Sequence, residues 1–116
     1  MPRTLQKTDR VTRRKEVSRL FNEGRVRSDG VLRLLMTENG LGRSRVVVAV
    51  STRHGNAVRR NRLKRLCREA FRAARDELPV GRDYAMVPVV GAAIDLTALD
   101  RSLRRLAGRA ARKDSP

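Results

Sequence analysis

Residues 51–75 read STRHGNAVRRNRLKRLCREAFRAAR, and the period of this stretch decides the fold. Leu63, Leu66, Cys67, Ala70, Phe71 and Ala74 recur at helical spacing and form one narrow apolar stripe. The pattern predicts the longest helix of the chain, starting after Gly55 and Asn56 and stopped by Pro79 and Gly81. Arg53, Arg59, Arg60, Arg62, Lys64, Arg65, Arg68, Arg72 and Arg75 crowd the same stretch, and Glu69 is its only acid. On a helical wheel Asn61, Arg62, Arg65, Arg68 and Arg72 fall opposite the stripe, so burying the stripe on a sheet turns these cations outward as a ridge. A solvated helix face normally mixes signs to form pairs one turn apart. Here the signs barely mix, and the ridge reads as a track for a phosphate backbone. The backbone N–H groups of the helix start, beside Gly55 and Asn56, offer a second phosphate site.

Upstream, Thr8 and Asp9 are expected to cap a first helix of about four turns, ended by Gly24, with Val17, Leu20 and Phe21 on one face and Arg13, Arg14, Lys15 and Arg19 on the other. Two strand-like runs follow, 31–37 and 45–51, joined by Glu38-Asn39-Gly40-Leu41-Gly42, whose turn residues predict a β-hairpin. Downstream, 83–90 reads as a strand apolar enough to be buried on both faces, weakened at its far end by Pro88. Thr97 is expected to cap a last helix over 98–111, with Leu99, Leu103, Leu106 and Ala110 inward and Arg101, Arg104, Arg105 and Arg109 outward. The order predicts an α+β domain with helices packed on a small sheet. One domain spans 1–116, with 1–7 and 113–116 expected to be flexible.

Composition narrows the partner. The 116 residues carry 28 Lys and Arg against 12 Asp and Glu, a formal charge of +16 that a polyanion would relieve. All but Lys7, Lys15, Lys64 and Lys113 of those cations are Arg, whose planar fork grips phosphate and stacks on bases. A G+C-rich genome would also favour Arg over Lys, but it does not produce the net charge. No apolar run nears the roughly 18 residues of a membrane span, and the N-terminus lacks the apolar segment of a signal peptide, so the expected location is the cytoplasm. One cysteine, Cys67, and one histidine, His54, cannot assemble a zinc site. The acids are scattered singly, without the carboxylate cluster of a metal-dependent nuclease, and His54 has no second histidine to share acid–base work. His54 is expected in a loop that touches RNA, and Cys67 in the core. A helix-turn-helix reader of DNA is disfavoured, since no short helix directly precedes the basic one. A ribosomal or chaperone-type RNA binder stays open as the alternative on these observations.

The stretch from Ser51 to Phe71, with Arg60-Asn61-Arg62 followed by Lys64-Arg65, resembles the signature of the protein subunit of bacterial ribonuclease P. The likeness extends over nearly the whole chain, through the basic first helix ending in Gly24-Arg25, the run into Val48-Ala-Val-Ser51, the Asp83-Tyr84 strand and the closing helix. The resemblance implies a mostly antiparallel sheet of about four strands packed with three helices in the order α-β-β-β-α-β-α, with a left-handed β-α-β crossover against the usual hand. It implies that catalysis belongs to a large RNA subunit, which cleaves the 5′ leader from precursor tRNA with Mg2+ bound mainly by RNA and substrate phosphates. The protein, one monomer per RNA, would contact that RNA through Arg53, Asn56, Arg59, Arg60, Asn61, Arg62, Lys64, Arg65 and Arg68. It would hold the leader near Arg13, Arg14, Val17, Phe21 and Leu35, in a cleft between the first helix and the sheet. Val17 and Leu35 stand where the family often has aromatics, Val89 where an arginine is frequent, and Thr52 at the first position of a common basic pair. Base stacking in the leader cleft is therefore expected to give way to apolar contact.

Overall fold

The computed structural model describes residues 5–114, with the side chains of Lys7 and of 109–114 left aside. Three helices, α1 (Arg14–Glu23), α2 (Ala57–Ala74) and α3 (Leu96–Asp114), pack on four strands, β1 (Arg25–Ser28), β2 (Leu32–Glu38), β3 (Arg45–Val48) and β4 (Arg82–Pro88). The sheet order is β1-β2-β4-β3. Both β1 and β4 run antiparallel to β2, while β3 lies parallel to β4 and reaches it through α2. This is the expected α+β arrangement.

Alternation along the strands sorts the side chains into two layers. Leu32, Leu34 and Met36 of β2, Val46 and Val48 of β3, and Tyr84 and Met86 of β4 meet Cys67, Ala70, Phe71 and Ala74 of α2 and Leu99, Leu103, Leu106 and Ala107 of α3. The Phe71 and Tyr84 rings pack tilted, 5.9 Å between centroids, and the Tyr84 hydroxyl donates to the Pro79 carbonyl at 2.7 Å. On the opposite face Leu35 and Ala85 are covered by Leu20 alone, with Val47 and Val87 only partly buried beside them. Two helices thus cover one face and a single ten-residue helix the other, which leaves sheet surface open next to α1.

The hairpin expected between 31–37 and 45–51 does not form, because β4 lies between β2 and β3. The Asn39-Gly40 turn exists, with Gly40 at φ 70°, but it arches over the start of β4. Asn39 donates from its backbone to the Gly81 carbonyl (3.0 Å) and from its side chain to the Asp83 carboxylate (2.9 Å), so the loop is tied to the strand it spans. The first helix also starts later than expected, at Arg14, with no side-chain cap. Asp9 is instead buried at 1% exposure, accepting from the Gln6 N–H (2.9 Å) and from the Arg75 guanidinium (2.6 Å). The last helix is capped by Asp95, which accepts from the Ala98 N–H at 2.7 Å, and not by Thr97. β1 was not located by residue pattern. The expectations for 1–4, for residues 115–116 and for the side chains of Arg109, Ala110 and Lys113 lie outside the described residues.

Two glycines are required by close approach. A Cβ on Gly24 would stand 2.2 Å from the Leu20 carbonyl oxygen, where the chain leaves α1 for β1. Gly55, at φ 119°, lies under the Arg59 side chain, whose Cδ a Cβ would meet at 2.6 Å.

Candidate nucleic-acid interface

Burial of Leu63, Cys67, Ala70, Phe71 and Ala74 fixes the rotation of α2, and the outward face follows from it. Asn61, Arg62 and Arg65 are exposed along this face, Lys64 and Arg68 half-buried on its flank, and Arg53, Asn56 and Arg59 exposed at its start. Asn56 caps the helix, its side-chain carbonyl accepting from the Arg59 N–H at 2.9 Å. That N–H of the helix start is therefore already used, which narrows the phosphate site expected there. The N-terminal segment supplies one cation that the helical pattern had no means to place. Arg10 and Leu5 line, with Asn61, Lys64, Arg65 and Arg68, a recess of about 470 Å³ along the side of α2. Arg10 arrives there because the segment pairs with the edge of the sheet, the Val11 N–H donating to the Val46 carbonyl at 2.9 Å.

Four polar residues of the signature stretch behave differently from expectation. Arg60 lies on the sheet side of the helix, half-buried, with its Nε enclosed and unpartnered. Arg75 turns inward to Asp9, the two side chains 8% and 1% exposed, and also donates to the Ser44 carbonyl (3.1 Å). Arg72 pairs with Glu69 one turn earlier, and that contact raises the Arg72 pKa and lowers that of Glu69. His54 is buried, its Nδ1 facing the Ser51 N–H (3.0 Å) and its Nε2 2.7 Å from the Pro88 carbonyl. Nε2 therefore donates and Nδ1 accepts, a neutral ring that clips the loop after β3 to the end of β4. Both ring nitrogens are thus taken up inside the fold. The spacing of these residues was legible, but Asp9, which meets Arg75, and the Pro88 carbonyl, which meets His54, come from elements far away in sequence.

The second surface lies on the other face of the sheet. Leu20 anchors α1 over Leu35 and Ala85. On one flank of the helix Arg19 and Glu23 line a recess with Thr37, Glu38 and Arg82, at the end of the sheet where β2 finishes and β4 starts. Arg14, Val17 and Phe21, spaced three and four residues apart, lie on the opposite flank. At the other end of this sheet face Val87 and Arg33 sit opposite each other in register. Arg13 and Arg14 are exposed, Val17 is half-buried and Phe21 is 38% exposed. Leu35 is 1% exposed beneath Leu20 and shapes the floor without being open to a ligand. Sequence reasoning missed Val47, Val87 and Arg33 as members of this surface, because a continuously apolar strand does not reveal which of its faces is left open.

A polar bolt holds α1 in place. Arg45 donates to Asp83 through Nε (2.9 Å) and an η nitrogen (2.8 Å), and to Glu16 of α1 at 3.0 Å. The bond to Asp83, followed by that to Glu16, pushes the Arg45 pKa upward against the cost of burial. Among the described residues no three His, Cys, Asp or Glu side chains cluster as metal ligands would, and no helix is long and apolar enough to cross a membrane.

The sequence model of the family described as Ribonuclease P matches residues 5–111. The chain belongs to the ribonuclease P protein family. Among curated relatives it is 33% identical over 88 residues to the ribonuclease P protein component of Thermotoga petrophila, covering 76% of this chain and 75% of that one. It is 41% identical over 85 residues to the corresponding component of Coprothermobacter proteolyticus, covering 72% and 68%. The solved RNase P protein of Thermotoga maritima superposes with a TM-score of 0.78 at 30% identity, over 86% of this chain and 96% of that one. The Staphylococcus aureus RNase P protein shares the fold, with a TM-score of 0.77 at 23% identity over 90% and 96%. The ribonuclease P family match thus spans the signature helix, the β3-α2-β4 crossover and both surfaces described above.

Proposed function

We propose that the chain is the RNA-binding protein subunit of ribonuclease P, which docks on the catalytic RNA through α2 and holds the 5′ leader of precursor tRNA against α1 and the open sheet face. The observation that carries this reading is the separation of two surfaces by one sheet: a helix face on one side whose cations are opposed by Glu69 alone, and an apolar strip with basic ends on the other. Arg53, Arg59, Arg62 and Arg65, helped by Lys64 and Arg68, neutralise RNA phosphates, and six such contacts give a slope of log K against log salt of about −4 to −5. Arg14 and Arg33 meet the leader backbone, while Val17, Phe21, Val47 and Val87 give its bases an apolar floor. Among the described residues no carboxylates cluster as metal ligands would; on this reading the Mg2+ of the reaction is held by phosphates of the RNA and the substrate, and cleavage belongs to the RNA subunit. The protein's own contribution is positioning and charge neutralisation, exercised in the cytoplasm by one monomer per RNA.

Reconstitution tests this. Added to a ribonuclease P RNA at low magnesium, the protein should restore removal of the 5′ leader, and Phe21→Ala should weaken binding of leader-bearing substrate more than of mature tRNA. Absence of any stimulation would refute the subunit role, and equal losses for both tRNAs would remove the leader from α1.

A further inference from the structure

Beside the start of α2 runs a trench whose apolar floor the phosphate ridge does not use. It consists of two recesses, of about 430 Å³ and about 240 Å³, that share Arg59, Leu63, Ala92 and Ile94 as a common wall. Its floor is aliphatic and its rim is cationic, with Arg53 at one end, Arg59 in the middle and Arg62 at the other. Two large apolar side chains border it in solvent, Val58 at 79% exposure and Val90 at 42%. Val58 stands in the first turn of a helix that exposes no other large apolar side chain, and it packs on nothing within the core. Asp95 closes the far end with a carboxylate that also caps α3.

A duplex backbone laid on this surface would use the three guanidinium groups and leave the floor empty. An acidic protein partner would meet Asp95 and the same floor without a shape to match it. An unstacked nucleotide uses all three features, because its base has apolar faces, its phosphate is an anion, and guanidinium planes stack on bases. The combined size falls within the range of small-ligand sites, about 300–1,000 Å³. We propose that the trench seats one or two unpaired nucleotides of the partner RNA, with bases on Leu63, Ala92 and Ile94 and phosphates on Arg53, Arg59 and Arg62. The inference rests on the RNA-binding role proposed above and deepens it: the α2 region reads single-stranded bases as well as neutralising phosphates. Specificity then resides partly in the 92–95 loop, outside the signature helix.

Cross-linking decides it, since the native Cys67 is fully buried and an introduced thiol is the only reactive one. A photoactivatable group is attached through Ala93→Cys, in the trench wall, or through Asn61→Cys, on the ridge, and each protein is assembled with a ribonuclease P RNA. The Ala93→Cys protein should link to unpaired nucleotides. In parallel, Ala93→Trp, which fills the trench without changing charge, should weaken RNA binding about tenfold with an unchanged salt slope, whereas Arg62→Ala should lower that slope by about 0.7–0.9. If Asn61→Cys links and Ala93→Cys does not, or links only to paired nucleotides, or if Ala93→Trp binds as tightly as the parent, the trench is not a base seat and the RNA-binding role stands. If neither position links, the RNA-binding role fails and the seat falls with it.

Discussion

Replacing Asp83 by Asn should destabilise the domain far more than the loss of one surface charge would. The Asp83 side chain is 7% exposed and that of Arg45 13%, and they meet through two hydrogen bonds of 2.9 and 2.8 Å. Breaking a buried pair costs about 3–5 kcal/mol, mostly because the surviving charge is left without a partner. Glu16 remains 3.0 Å from Arg45 and softens the loss, so about 2–3 kcal/mol is expected, or roughly 8–12 °C in Tm for a domain of this size. Arg45→Met should cost a similar amount, leaving Asp83 with the Asn39 amide alone at 2.9 Å. The double variant removes both charges and should fall short of the sum by about 2 kcal/mol, read as the coupling term of urea denaturation curves. Global repulsion predicts a different pattern. Asp83→Asn raises the positive charge by one and Arg45→Met lowers it by one, so in a chain at +16 the second change would stabilise if net charge governed folding. A stabilised Arg45→Met protein, or additivity within about 0.5 kcal/mol, would refute the bolt. The two variants also differ in function on the reading proposed here. Asp83→Asn keeps the Glu16–Arg45 tie to α1 and should keep discrimination for leader-bearing substrate, whereas Arg45→Met releases α1 and should lose part of it.

Two further outcomes follow from burial and pairing. The Cys67 thiol, pushed up to about 12 by burial in spite of the nearby Arg68 charge, should resist a thiol reagent at pH 8 in the folded protein and react at the full rate in urea; immediate reaction under native conditions would place it outside the core. Asp29 is raised by desolvation but held at about 2 by the Leu32 and Val31 N–H groups, the Ser102 hydroxyl and Arg105. Its folded pKa lies below the unfolded 3.8, so its stabilisation is present above about pH 4 and lost as pH falls toward 2, and Asp29→Asn should show a shallower fall of urea midpoint across that window than the parent.

The helical stripe from Leu63 to Ala74 was legible because its period is local, and with it the direction of the outward cations. The sheet order was not. Asn39-Gly40 carries the same turn chemistry whether the next strand pairs alongside or one position away, and what separates the two outcomes is Asp83, more than forty residues later, accepting from Asn39 across the loop. The inward turn of Arg75 and the burial of His54 were hidden for the same reason: their partners, Asp9 and the Pro88 carbonyl, lie 66 and 34 residues away. In a sequence with this many arginines, composition marks a cation as a ligand contact by default. Only the tertiary partner shows which ones the fold keeps for itself.

Those internal cations explain how the two surfaces on opposite faces of one sheet, read here as RNA surfaces, can act together. The segment between them is short and pinned at three points: Asp9 to Arg75 at the end of α2, Val11 to Val46 on the outer edge of β3, and Glu16 of α1 to Arg45 at the start of the same strand. α1 is therefore referenced to α2 through one edge strand and about eight residues of chain, and a shift of either helix must break a buried or half-buried ion pair. On the proposed reading this fixes the distance from the docked catalytic RNA to the leader, so that binding free energy on the α2 side is realised as positioning on the α1 side. The positive charge that on the proposed reading suits the chain to RNA also makes it repel itself, and Asp9, Glu16 and Asp83, which relieve that repulsion inside the fold, are the acids that set this geometry.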